Sequence, residues 1–216
     1  MTDSAPLQPS TLRERKKQIT RRMLVDAAVE LCVKQGYENT TVEQIASAAD
    51  ISTRTFSRYF ATKEAVFIAV LDDLATEIAA ELVSQPADLG PMEALRASHM
   101  AVLGRVSRRP LVGLTKERIA LILRIVNSSD ALRQAAIDYR FPAAMNILAT
   151  RMGVAPDDKR LDLAVALFST TIVSACSDVV DGAEVELGPD VVMERLGQTL
   201  GQVAQFAADM DVDTRT

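Results

Sequence analysis

Residues 40–63, TTVEQIASAADISTRTFSRYFATK, constrain the chain more than any other stretch, because they mark two helix starts in close succession. Thr41 is followed three residues later by Gln44, the spacing of a capping box, which opens a helix near Val42. Val42, Ile45 and Ala46 give that helix an apolar face, and Ala48 and Ala49 leave room for a close neighbour. Ala49-Asp50-Ile51 breaks the run. Ser52 then caps a second short helix through Tyr59, with Phe56 and Phe60 on its inner side. A short helix, a tight turn and a second capped helix form a helix-turn-helix, whose second helix is built to enter a DNA major groove. Its outer face carries Thr53, Arg54, Thr55, Ser57, Arg58 and Tyr59, side chains that bond phosphates and base edges. A helical hairpin buried in a larger α-domain is the other reading. A helix meant only for packing has no need of so many donors without an acidic residue among them.

The surrounding charge agrees. The net charge of the 216-residue chain is −5, but residues 11–63 hold ten Lys/Arg against six Asp/Glu. Residues 64–216 hold fourteen against twenty-two, an acidic body behind a basic end. Residues 1–11 are expected to be a disordered arm. The run LRERKKQITRR follows, and its Arg and Lys either reach phosphates or form a solvated helix face. Ile19, Met23, Ala27 and Leu31, with Leu24, Ala28 and Cys32 beside them, predict an amphipathic helix ended by Gly36. Tyr37 is expected to pack under the loop that follows. Thr62 caps the next helix, predicted as one rod over 63–84, ~30 Å long.

These residues resemble the N-terminal domain of TetR-family transcriptional regulators. The resemblance covers residues 19–67, and its strongest parts are GYENTTVEQIASAADIS and RTFSRYFATKEAVF. It implies a homodimeric regulator, usually a repressor, with a ligand pocket in the C-terminal helices. By position, Thr41, Thr53, Arg54, Thr55, Ser57, Tyr59 and Lys63 fall where the family touches DNA, Tyr59 and Lys63 at phosphate-holding positions. Asp50 departs from the family pattern, standing where Gly is common in the turn. Asp tolerates the left-handed conformation better than most residues but places a negative charge near DNA.

The second half predicts five more helices, over 92–109, 114–127, 130–152 (capped by Asp130 and broken near 138–141 by Pro142), 157–181 and 189–210. No strand signal competes. The expected fold is all-α, about nine helices in all, divided into an arm (1–11), a helix-turn-helix domain (12–62) and a ligand-binding and dimerisation domain (63–216). Gly197 and Gly201 on the last helix either allow close approach of a partner helix or are neutral variation. The last two helices resemble the family's dimer interface.

Enzyme motifs are missing: the sequence has no HExxH, Walker loop, dinucleotide loop or nucleophile elbow, and no metal-ligating cluster. No cofactor is expected. A binding cavity between the body helices is more plausible, mainly apolar with a few orienting polar groups. Its candidate liners are His99, Met100, Leu103, Leu121, Arg124, Tyr139, Met145, Phe168, Ile172 and Cys176. Residues 117–152 faintly resemble regulators that sense fatty acyl-CoA or other lipophilic molecules. Arg105, Arg108 and Arg109 either meet an anionic ligand head or form a solvated helix end. Cys32 and Cys176 read as buried thiols, and no segment is apolar enough to span a membrane, so a cytoplasmic protein is expected. The expected function is a homodimeric repressor that leaves a palindromic operator when a small lipophilic effector binds. The alternative is a helical small-molecule-binding or interaction protein that has lost specific DNA binding.

Overall fold

The computed structural model describes residues 12–111, 113–177 and 187–209. The expected arm, the end of the helix predicted over 157–181 and the last residue of the helix predicted over 189–210 lie outside them. The chain divides into two compact units, Met1–Phe67 and Ile68–Thr216.

The first unit is built from α1 (Leu12–Gln35), α2 (Val42–Ala48), α3 (Thr53–Tyr59) and the start of α4 (Lys63–Ile68). Gly36, at φ +84°, ends α1 in the left-handed region that glycine tolerates. The inward stripe of α1 is Leu24, Ala28 and Cys32 with Val25 and Ala27. Ile19 and Met23, expected in that stripe, are exposed. The first turns of α1 are exposed and carry a basic face. Ile45, Ala46, Phe56 and Phe60 are buried, and the two phenyl rings pack 5.8 Å apart. Burial of an Ile or Phe side chain stabilises by roughly 1.5–3 kcal/mol.

The second unit contains a 3-10 turn (Ala69–Leu71), α5 (Asp72–Ser84), α6 (Pro91–Arg108), α7 (Lys116–Asn127), α8 (Asp130–Ile137), α9 (Pro142–Met152), α10 (Lys159–Ala175) and α11 (Pro189–Asp209). α6 packs on α5 and α11, α10 packs on α11, and α9 packs on α5. Leu82, Leu95, Leu148, Leu161, Phe168 and Leu196 meet in one apolar core.

The nine expected helical stretches become eleven α-helices among the described residues because two of them divide. The rod expected over 63–84 is interrupted by the 3-10 turn. The helix expected over 130–152 breaks at Pro142, which cannot donate a helical hydrogen bond and holds Phe141 extended at φ −89°, ψ 114°. Arg140 closes the break. Its Nη1 donates to the carbonyls of Ile137 (2.8 Å) and Tyr139 (3.2 Å), and its Nε donates to Asp162 (3.1 Å). Ser129, not Asp130, caps α8, its hydroxyl accepting from the Leu132 N–H at 3.2 Å. α10 ends at Ala175, short of the predicted 181, and Asp158 is its cap. No helix among the described residues is long and apolar enough to cross a membrane.

Candidate DNA interface and effector cavity

Hydrogen bonds at both ends of α2 fix that helix and the turn that leads from it to α3. Thr41 Oγ1 accepts from the Gln44 N–H at 3.3 Å, and Gln44 Oε1 accepts from the Thr41 N–H at 2.9 Å. Gln35 Nε2 also donates to Gln44 Oε1 (3.0 Å), tying the end of α1 to the start of α2. At the far end the Ile51 N–H bonds the Ala46 carbonyl (2.9 Å) and the Asp50 N–H bonds the Ser47 carbonyl (3.0 Å). This is a Schellman closure with Asp50 at the left-handed position. Asp50, at φ 53°, is the one non-glycine residue with positive φ among the described residues. Ser52 Oγ then accepts from the Thr55 N–H at 3.1 Å and opens α3.

On α3 Phe56 is buried and Thr55 and Tyr59 are half-buried, leaving Thr53, Arg54, Ser57 and Arg58 exposed. The local hydroxyls are partly committed: Ser57 Oγ donates to the Thr53 carbonyl (3.1 Å), and Thr55 Oγ1 lies 3.0 Å from Ser52 Oγ. Arg58 lies over the Tyr59 ring at 5.9 Å, and Arg21 of α1 lies over Phe60 at 4.9 Å. Thr41 is exposed beside Glu43. The Glu43 carboxyl is held below its usual range by its own backbone N–H and by the Thr41 hydroxyl.

Lys63 has a role that sequence reading missed. Its Nζ donates to the Tyr37 carbonyl at 2.8 Å and sits 3.9 Å over the Tyr37 ring. Tyr37 is buried, meets Phe67 edge-on at 5.2 Å and donates its hydroxyl to Glu64 Oε1 at 2.5 Å. Burial, then the bond to Glu64, pushes the Tyr37 hydroxyl well above its usual range, and the same bond lowers the Glu64 carboxyl. Tyr37 was legible only as a residue under a loop, and Glu64 only as an acid at a helix start.

The second unit contains a partly open cavity of ≈ 190 Å³. Its walls come from the 3-10 turn and α5 to α11, with Tyr139 and Phe141 from the α8–α9 break. Seven of the expected liners are there: His99, Leu103, Tyr139, Met145, Phe168, Ile172 and Cys176. Met100, Leu121 and Arg124 are not among its lining residues. α7 faces the cavity through Ile119, Ile122, Leu123 and Val126, a helical stripe that leaves Leu121 to one side and Arg124 in solvent. Met100 Cε lies 4.0 Å from where a Cβ on Gly197 would stand, so this side chain reaches toward α11. Arg105 is not available for an anionic head either: it pairs with Glu81, and Glu77 lies 3.9 Å away.

Sequence reading missed the α5 wall (Leu74, Ala75 and Ile78) and Asn127. The His99 ring packs on Phe168 with centroids 4.7 Å apart. Burial lowers its pKa to about 4. The Tyr139 hydroxyl donates to Asp72 Oδ1 at 2.7 Å, which fixes the ring in the wall.

Comparison with known proteins adds the following. The family model described as bacterial regulatory proteins, tetR family, matches residues 24–70. The chain is 37% identical over 174 residues to the HTH-type transcriptional regulator TcmR of Streptomyces glaucescens, spanning 77% of this chain and 75% of that protein. It is 31% identical over 84 residues to the HTH-type transcriptional regulator RutR of Escherichia coli K12, 39% of this chain and 40% of RutR. Among solved structures it is similar to Thermus thermophilus FadR, a TetR family transcriptional repressor in complex with lauroyl-CoA. That match has a TM-score of 0.48 and 22% identity, and covers 85% of this chain and 93% of FadR.

Proposed function

We propose that this chain, which belongs to the TetR family of DNA-binding transcriptional regulators and is not an enzyme, is a homodimeric repressor released from a palindromic operator by a small lipophilic effector. The observation that carries the DNA side is the exposed face of α3, where Thr53, Arg54, Ser57 and Arg58 stand together with no carboxylate on the helix. Arg54, with Thr53, Thr55 and Ser57, reads base edges. Arg58, Tyr59, Thr41 and the basic start of α1 hold phosphates. Lys63 spends one N–H on Tyr37, so it serves a phosphate only with those that remain. Two copies of α3 in successive major grooves require half-sites ~34–36 Å apart or a multiple of that, hence a roughly palindromic operator.

The homodimer is supported by apolar side chains left in solvent on the last two helices: Leu163 and Leu167 on α10, and Phe206 on α11. A Cβ on Gly201 would meet nothing within 4 Å, so no contact among the described residues requires that glycine. The effector site is the cavity of the second unit. An occupant releases DNA only to the extent that it binds the released state more tightly than the DNA-bound one. Such a regulator works in the cytoplasm, where its DNA is.

Fluorescence anisotropy with the DNA flanking the protein's own gene, at two salt concentrations, tests this reading. The expected result is tight, sequence-selective and salt-sensitive binding. Equal affinity for operator and random DNA, or none at low salt from protein stripped of bound small molecules, rejects it in favour of a binding protein without specific DNA recognition.

A further inference from the structure

The polar atoms of the cavity are biased toward one kind of partner. Among the described residues its polar liners are His99, Asn127, Tyr139, Ser169 and Cys176, with no Lys, Arg, Asp or Glu. His99 Nδ1 lies 2.8 Å from the Leu95 carbonyl oxygen. That oxygen can only accept, so Nδ1 carries the proton and Nε2 of the neutral ring is an acceptor. Burial holds the ring in its neutral form at ordinary pH. Asn127 repeats the arrangement. Its Nδ2 donates to the Leu123 carbonyl at 2.9 Å, and its Oδ1 is buried with no hydrogen-bond partner. An unpaired buried acceptor is costly, and a ligand donor relieves that cost.

Taking the effector-cavity reading above as given, we propose that the occupant is an uncharged, mainly apolar molecule with two hydroxyl-type donors, one for His99 Nε2 and one for Asn127 Oδ1, the latter met by a turn of the Asn127 side chain toward the cavity it lines. A carboxylate, sulfate or phosphate brings only acceptors. It would meet two more acceptors and no cation, with only the uncharged Ser169 hydroxyl and Cys176 thiol on the wall able to donate, and would leave its hydration behind. The Tyr139 hydroxyl offers it little, since its proton goes to Asp72. Acyl-CoA-like effectors therefore do not place an ionised group in this cavity.

The test uses the full chain without DNA and four probe types of similar size: naphthalene, 2-naphthol, a set of dihydroxynaphthalene isomers and 2-naphthoate. Calorimetry should give affinity rising by about tenfold for each hydroxyl that finds its acceptor, with naphthoate weakest. His99 is the only histidine, so ¹⁵N-imidazole NMR reports on one ring without any substitution. The Nε2 resonance should move with naphthol and stay in place with naphthalene. Asn127→Leu should remove the advantage of the diol over the mono-ol while retaining naphthalene, whose binding reports that the cavity is intact. Naphthoate binding as tightly as the diols overturns the proposal. So does an Nε2 signal indifferent to the hydroxyl, or a series in which nothing binds better than naphthalene or nothing binds at all. Operator anisotropy is read separately. Diols that bind in the expected order without changing DNA affinity uphold the ligand chemistry and reject effector release.

Discussion

The helix-turn-helix unit and the cavity unit keep their working atoms in different places. On α3 the groups proposed to meet DNA are exposed, close in sequence and carried by one short helix. In the second unit the candidate groups line a partly open cavity shared by residues as far apart as Leu74, His99, Asn127 and Phe168. The first arrangement depends on caps and a turn, which are local. The second depends on how several helices pack. Substitutions in one region should therefore fail in ways that substitutions in the other do not.

The largest expected effect is from Phe56→Ala, which empties the centre of the small unit and should cost about 3–5 kcal/mol. Operator binding should be lost while calorimetric binding of a cavity ligand persists. Loss of both together breaks the division.

The cavity side has a pH signature of its own. The pKa of His99 is about 4 in the folded chain, below the ~6.5 of a free imidazole. Between these values the unfolded chain takes up a proton that the folded chain refuses. Stability should therefore fall as pH drops from ~6.5 to ~4 and level off below, by up to about 3 kcal/mol. Denaturant unfolding at several pH values should show that slope, and His99→Gln should flatten it.

Arg54→Ala should cost ~1–3 kcal/mol at the operator and relax preference at one base position. Its stability and ligand binding should match the parent protein. Unchanged operator affinity means that α3 presents a different face to the base edges.

The smallest effect concerns the turn. Asp50→Gly removes a left-handed backbone cost of ~1–2 kcal/mol, partly offset by ~0.4–1 kcal/mol of extra freedom in the unfolded chain. A net gain of about 0.5 kcal/mol in thermal unfolding is expected, together with modestly tighter binding to all DNA sequences.

The same contrast decides what could be read from the sequence. Thr41, Ser52 and Thr62 act as caps at their expected places, Asp158 caps α10, and Gly36 and Gly153 take the left-handed turns that end α1 and α9. Each signal lies within a few residues of its effect. The break at 69–71 carries no Pro or Gly, so the local sequence does not announce it. Met100, Leu121 and Arg124 were misplaced for a related reason. Helical spacing groups residues by face, but only packing decides which face meets the cavity. Lys63 was read from its position in the motif, whereas its contact with Tyr37 spans residues far apart in the chain.

His99 and Asn127 share one further property. Each anchors its second polar atom on the carbonyl four residues earlier in its own helix, Leu95 or Leu123. No neighbouring side chain need evolve in step to aim either acceptor. Descendants of this regulator could thus exchange the apolar wall freely, to suit larger or smaller molecules, and keep the same demand for hydroxyls. Losing that demand takes a change at one of two codons.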